Sequence, residues 1–244
     1  MNQKIAFVSG ASGLVGMQLL HQLFQEPSYS YVISLGRREL ALKHHKLIQL
    51  KVDFDKLHLV HLTEKIREQN RGGDYHALIQ GIDGKHIEIH AFCSLGTTIK
   101  QAGSKEAFYQ IDHDYVVDFA NWSLNQGASK FLYVSSLGAD PRSSIFYNKV
   151  KGEVEEDLKL IPFDYLGIFQ PSVLLGNRRK TRLGEEIGKK AMQAVTFFGI
   201  MKKYKPIYDH QVAKAMLRSA INPSDKKVQT IPNLEMLSAD SASS

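Results

Sequence analysis

An α/β fold with a mostly parallel sheet is predicted by three features of this 244-residue chain. Short apolar runs, the length of buried strands, alternate with longer stretches of helical spacing from Lys4 to Leu175. The first run passes through a glycine-rich turn straight into a helix. Turn-forming residues follow the strand-like runs. Such alternation puts helices on both faces of the sheet and gives right-handed crossovers between its strands.

In order, Lys4–Ser9 is the first expected strand and Leu14–Phe24 the first helix. Tyr31–Leu35 and Leu47–Val52 read as the next two strands. Ala91–Leu95 is a further strand and ends in Gly96-Thr97-Thr98. The spacing predicts one long helix over Lys105–Asn125, closed by Gly127 in the C-cap role. Phe131–Val134 reads as a strand, Tyr147–Leu160 as a helix stopped by Pro162, and Tyr165–Leu175 as a strand. The pattern ends after Gly176. Helices are expected near Leu183–Val195 and His210–Ile221, in a small C-terminal lobe over 177–236 suited to covering a substrate. The small polar residues 237–244 are expected to fray. The whole chain, 1–244, is thus expected to be one domain, a Rossmann-type doubly wound parallel sheet with a small C-terminal appendage.

Composition narrows the class. Hydrophobic residues make up 43% and charged residues 23%, values of a globular chain rather than a disordered or fibrous one. The single cysteine, Cys93, excludes an intramolecular disulfide and a cysteine-rich zinc site; it points to a reducing compartment, and a cytoplasmic location is expected. Ile5–Gln25 is the longest uncharged stretch, but glycines, serines, glutamines and His21 interrupt it, so no membrane span is expected. The net charge of +6 is local: residues 178–205 hold nine bases and two acids, a net of +7, leaving −1 for the other 216 residues. Clustered Lys and Arg suit phosphates or an anionic substrate, and also nucleic acid or a membrane surface. Beside a nucleotide-binding pattern, phosphate is the favoured partner and nucleic acid is not expected. From Lys189 onward a solvated helix face is the simpler reading.

The first strand opens into Ser9-Gly10-Ala11-Ser12-Gly13-Leu14-Val15-Gly16. Three glycines serve three mechanical needs: a tight turn, close approach of backbone to a pyrophosphate, and close packing of helix on strand. The helix start then offers free N–H groups to phosphate. A nicotinamide dinucleotide is therefore the expected cofactor. An NAD site usually places a carboxylate about 20 residues beyond the glycines, against the ribose hydroxyls. Here that stretch reads Leu35-Gly36-Arg37-Arg38, with no acid before Glu39. Two guanidiniums suit a 2′-phosphate, so NADP(H) is expected over NAD(H). Asp53, after the third strand, is a candidate acceptor for the adenine amino group or a plain turn former.

Tyr147 and Lys151 stand four apart at the start of a helix, hence on one face. The strand before them ends in Tyr133-Val134-Ser135-Ser136. A cationic lysine favours phenolate and eases proton transfer by the tyrosine. Lys151 can also hold a ribose, and Ser136 (or Ser135) can orient a substrate carbonyl. Cys93, in an apolar strand, reads as a packing residue. His86 and His90 stand four apart, but Lys85–Phe92 reads as a strand region without a cluster of acidic or cysteine partners, so no metal is expected. No Gly-x-Ser-x-Gly elbow suggests hydrolysis.

The glycine turn, Leu-Gly-Arg-Arg, Ser135-Ser136 and Tyr147/Lys151 resemble a short-chain dehydrogenase/reductase of the atypical, extended-like branch. More narrowly, Phe92–Thr98, Ser135–Asp140, Lys151-Gly152-Glu153-Val154-Glu155 and Gln170–Leu175 resemble the oxidoreductase family of the Tat-interactive protein. The likeness spans nearly all of residues 4–222. It implies cofactor contacts at Ser12, Gly13, Leu14, Val15, Arg37, Arg38, Leu95, Gly96, Tyr147, Lys151, Leu174 and Arg182, with Tyr147 as proton donor. Two stretches depart from the family. The helix segment Gln110-Ile111-Asp112-His113-Asp114 lacks the asparagine of many extended members, and Lys65–Glu88 reads as a long polar loop insertion.

These readings converge on an NADP(H)-dependent oxidoreductase acting on a carbonyl or alcohol of a small molecule. Family resemblance also admits an NADP(H)-binding regulatory protein, with a protein partner and little turnover. A sugar-nucleotide epimerase or dehydratase is the third reading, weakened because only about 70 residues follow Gly176.

Overall fold

The computed structural model describes residues 3–69, 75–84, 87–176, 204–222 and 224–241. The chain runs β1 (Lys4–Ser9), α1 (Leu14–Gln25), β2 (Tyr29–Gly36), β3 (Leu47–Lys51), a 3-10 turn (Phe54–Leu59), α2 (Leu62–Gln69), α3 (His76–Asp83) and β4 (Glu88–Cys93). It continues through α4 (Ile99–Ala102), α5 (Lys105–Tyr109), a π-helical turn (Gln110–Asp114), α6 (Tyr115–Asn125), β5 (Ala128–Val134), α7 (Phe146–Leu160) and β6 (Tyr165–Gln170). After it come β7 (Leu174–Leu175), β8 (Ile207–Tyr208), α8 (Asp209–Ile221), β9 (Val228–Pro232) and α9 (Asn233–Ser241).

Seven strands form one sheet in the order β3-β2-β1-β4-β5-β6-β9, every pair parallel. This is the doubly wound order with one strand added at the far edge. Alternation along each strand fills two cores. Ile5 and Phe7 of β1 join Ile33, Leu35, Phe119, Phe131 and Leu158 on one face. Ala6 and Val8 join Leu19, Leu23, Phe92, Val212 and Met216 on the other. Strands buried on both faces read as continuous apolar runs, which is why the sequence shows them so plainly.

At the end of the sheet where β1 and β4 begin, Lys4 and Glu88 face each other in register and form an ion pair. His90 Nε2 lies 2.7 Å from Glu88 Oε1, and its Nδ1 lies 2.5 Å from the Tyr29 hydroxyl. Tyr29 and His90 are both fully buried. Burial pushes the His90 pKa down to about 4 despite the neighbouring carboxylate. Glu88, though burial opposes it, is held down at about 2 by its bonds to Lys4 and His90.

Four elements differ from the sequence reading. The expected Tyr165–Leu175 strand is two pieces, because Pro171 has no N–H to give a ladder and the chain bends before β7. Lys65–Glu88 is not simply a loop, since α2 ends and α3 lies within it. Residues 228–232 belong to the main sheet rather than to a covering lobe, with Leu166 of β6 opposite Val228. Residues 237–241 lie in α9 rather than in a frayed tail. The expected helix over Leu183–Val195 falls outside the described residues.

Candidate active site

Strand order reverses direction around β1, and a ligand crevice opens at the carboxyl ends of strands at such a point. There β1 gives way to Gly10, whose φ is +81°; a Cβ on it would stand 2.4 Å from the Ser94 carbonyl carbon. A Cβ on Gly16 would stand 2.3 Å from the Gly10 carbonyl oxygen. Glycine is thus demanded at both positions, once by backbone angle and contact and once by helix packing. Helix α1 starts from Gly13 with no side-chain cap, which leaves its first-turn N–H groups to a ligand. The residues therefore fit a dinucleotide: a backbone cradle stands open where side chains would close it.

Two adjoining cavities extend from this turn. One, of about 490 Å³, runs along Gly10, Ser12, Gly13, Arg37, Arg38 and Phe54. The other, of about 330 Å³, is bounded by Leu14, Val15, Ser135, Tyr147, Lys151 and Leu174. Leu95 and Gly96 line both. The structure thus brings together almost all the residues singled out from sequence. Arg37 and Arg38 are exposed, and neither is held in an ion pair among the described residues. Asp53 does not line either cavity; its carboxylate accepts from the Asp55 N–H at 3.2 Å and starts the 3-10 turn. Its neighbour Phe54 takes the wall position instead. Arg182 and nearly all of the basic segment lie outside the described residues, as does His86.

Of the two serines, Ser135 lines the cavity and its hydroxyl donates to Glu155. Ser136 is 9% exposed, its hydroxyl is buried without a hydrogen-bond partner among the described residues, and it is not in the cavity wall. Ser135 is the better placed of the pair. Helix α7, which carries Tyr147 and Lys151, packs tightly on the preceding loop. A Cβ on Gly152 would meet the Pro141 nitrogen at 2.2 Å, and Asp140 N–H donates to the Asn148 carbonyl. The Tyr147 ring rests against Phe108 at 5.7 Å between centroids.

Asp112 was not singled out from sequence. The π-helical turn over Gln110–Asp114 inserts an extra residue between α5 and α6, and Asp112 projects inward from it to the cavity wall. Its Oδ1 lies 2.9 Å from Lys151 Nζ and its Oδ2 accepts from the Thr97 N–H at 2.7 Å. Lys151 also donates to the Tyr133 hydroxyl at 3.1 Å. Burial alone would lower the Lys151 pKa; the Tyr133 and Asp112 oxygens outweigh it and hold the ammonium well above its ordinary value. The available signal was an acid in the helix position where an asparagine was expected. Cys93 is fully buried, its thiol pushed up to about 12 by burial, as befits a packing residue. No cluster of metal-ligating side chains occurs among the described residues, and no helix there is long and apolar enough to cross a membrane.

The chain matches known proteins along most of its length. Residues 6–167 match the NAD dependent epimerase/dehydratase family. Protein HTATIP2 of Rattus norvegicus is 32% identical over 240 residues, 97% of this chain and 89% of that protein. Protein FMP52, mitochondrial, of Kluyveromyces lactis is 31% identical over 95% of this chain and 96% of its own. Among solved structures, MoeE5 in complex with UDP-glucuronic acid and NAD aligns with a TM-score of 0.62 at 14% identity, covering 93% of this chain and 76% of that one. A short chain dehydrogenase family protein from Francisella tularensis aligns at 0.55 and 16% identity over 96% and 99% of the two chains. At those identities the structures speak to fold.

The relatives correct one expectation. A cytoplasmic location does not stand against FMP52 proteins of several yeasts, 26–31% identical, that are named mitochondrial. The physical reason is that a lone buried cysteine reports only the absence of disulfides, and reducing conditions are not confined to the cytosol. The glycine turn, the all-parallel sheet and these matches agree: the chain belongs to the NAD dependent epimerase/dehydratase family, as an extended short-chain dehydrogenase/reductase resembling protein HTATIP2.

Proposed function

We propose that the protein is an NADP(H)-dependent oxidoreductase acting on a carbonyl or alcohol of a small molecule. The observation that carries this reading is the shared wall of one crevice: Leu14 and Val15 at the helix start, Tyr147 and Lys151 on α7, and Ser135 at the end of β5. When bound, the nicotinamide gives or takes hydride. The chain's own residues would do the rest. The α1 N-terminus and Ser12 would hold the diphosphate, with Leu95, Gly96 and Leu174 shaping the walls. Lys151, kept protonated, would hold the ribose and favour proton transfer by Tyr147 to or from the substrate oxygen. Ser135 would orient that oxygen.

NADP(H) is preferred over NAD(H) in this reading because Arg37 and Arg38 line the cavity beside the glycine turn and no acid precedes Glu39 there. Guanidinium forks match a phosphate, while a carboxylate would repel it.

The test is fluorescence titration with NADPH and NADH, followed by NADPH oxidation with aldehydes, ketones and quinones. Tighter binding of NADPH is expected, with turnover that drops at least about 100-fold in Tyr147→Phe while NADPH binding is kept. Tight NADPH binding with no turnover of any carbonyl would defeat the oxidoreductase reading and leave a nucleotide-binding protein.

A further inference from the structure

Helix α7 presents three polar residues at four-residue spacing: Tyr147, Lys151 and Glu155. They share a face. The first two belong to the site above; Glu155 has no part in it, yet it is a carboxylate only 6% exposed. The Ser135 hydroxyl donates to Glu155 Oε1, and Gln170 Nε2 donates to both carboxylate oxygens at 3.0 and 3.1 Å. The groups facing it, just past the end of β5 and from β6, are thus an uncharged hydroxyl and an uncharged amide. The charges that reach it, Lys159 and Glu156, come from its own helix. Burial raises the Glu155 pKa above the ordinary carboxylate value, overcoming the hydrogen bonds from Gln170 and Ser135 that lower it.

Ser135 stands between this carboxylate and the cavity that Tyr147 and Lys151 also line. A serine hydroxyl has one proton and two lone pairs. An ionised Glu155 only accepts, so the single Ser135 proton is committed to it and Ser135 can only accept from a group in the cavity. Once Glu155 takes a proton from solvent, its own O–H can donate to Ser135 Oγ, while its other oxygen still accepts from Gln170. The Ser135 proton is then free to turn toward the cavity. A ketone or aldehyde oxygen, with two lone pairs, can take this donor beside the one from Tyr147.

We propose that Glu155 is a positioning residue whose protonation sets the direction of the Ser135 hydrogen bond, the protonated form freeing Ser135 to donate to a carbonyl in the site and the ionised form withholding that donor. The consequence for turnover rests on the oxidoreductase reading. The hydrogen-bond switch does not.

Infrared difference spectroscopy tests the switch on the intact protein. A carboxylic-acid C=O band, assigned by its loss in Glu155→Gln, should grow as pH falls. Its midpoint should shift upward in Ser135→Ala, which removes a donor to the ionised form. Kinetics with NADPH and 9,10-phenanthrenequinone test the consequence. Reductive kcat/KM should fall as pH rises through the band's midpoint, and Glu155→Gln, neutral throughout, should lose that fall while keeping the low-pH rate. A midpoint unmoved by Ser135→Ala overturns the switch, and a wild-type pH profile in Glu155→Gln overturns its role in turnover. Wild-type protein that binds NADPH but never reduces the quinone or any other carbonyl counts against the oxidoreductase reading, and the infrared result then judges the switch alone.

Discussion

Lys151 Nζ and Asp112 Oδ1 lie 2.9 Å apart with their side chains 3% and 1% exposed. Removing one partner from a buried pair leaves an uncompensated charge, which costs about 3–5 kcal/mol. Because the folded Lys151 pKa is raised, its contribution is complete at neutral pH and is lost only as pH climbs through the folded value. Asp112→Ala should therefore lower the urea unfolding free energy at pH 7 by about that amount. Asp112→Leu combined with Lys151→Met should recover much of it, since neither charge then remains. A loss under about 1 kcal/mol in the single variant would mean that the pair is solvated.

Arg37→Glu replaces a phosphate-matching fork with a repelling carboxylate. NADPH affinity should fall about 10- to 100-fold, with NADH affinity nearly unchanged. Raised salt should weaken the proposed preference for NADPH, because Arg37 and Arg38 are exposed. Fluorescence titration with both nucleotides reads the effect directly. Equal losses for the two cofactors would remove the proposed role of Arg37.

Gly16→Ala would press a methyl group against the Gly10 carbonyl, 2.3 Å away, and the Ala11 Cα, 2.8 Å away. Both are backbone atoms and cannot swing aside. Helix α1 must tilt from β1, at about 1–3 kcal/mol, and the N–H groups of its first turn leave their present position. The expected outcome is a lower thermal midpoint and NADPH binding weakened more than 10-fold, measured on the same sample. Gly103→Ala is the contrast: among the described residues, none beyond its chain neighbours lies within 4 Å of an added Cβ, so only its φ of +93° opposes the change, and cofactor binding should survive.

Acid should unfold the protein through His90. Its folded pKa, about 4, lies below the ordinary 6.5, so the unfolded chain binds the proton first as pH falls. Stability is complete above about pH 6.5 and declines toward pH 4, by about 3 kcal/mol from this group. Glu88, depressed to about 2, adds a further loss in the same direction below its ordinary value. In His90→Gln the slope between pH 6.5 and 4 should flatten, with an amide left to meet the Tyr29 hydroxyl. Urea denaturation across that range would show it; an unchanged slope would assign the acid loss elsewhere.

Much of the fold is legible in the sequence where interactions are local or where burial on both faces writes a continuous apolar run. Lys4–Ser9 reads as β1 with its bounds unchanged, and the glycine turn announces its own geometry because only glycine tolerates it. Tyr147, Lys151 and Ser135 were accessible through spacing and context. Asp112 was not, because the π-helical turn breaks the 3.6-residue register by which a helix face is read. Glu155 was equally hidden: a carboxylate beside Glu156 on a helix reads as solvated until the strands beneath it are in view. β9 escaped because Val-Gln-Thr-Ile-Pro, with a single buried residue, carries little of the apolar signal of an inner strand.

That outer strand has a consequence for synthesis. Ile168 and Phe169 of β6 lie against Thr230 and Ile231, residues made long after β6 itself. Until they leave the ribosome, β6 presents a bare row of N–H and C=O groups beside fully buried side chains, a template for pairing with another nascent chain. Closing the sheet across so long a separation also comes late in folding. A chain ending before Val228 would keep the glycine turn, Tyr147 and Lys151, yet be prone to self-association, so its yield would be limited by aggregation before its chemistry could be assayed.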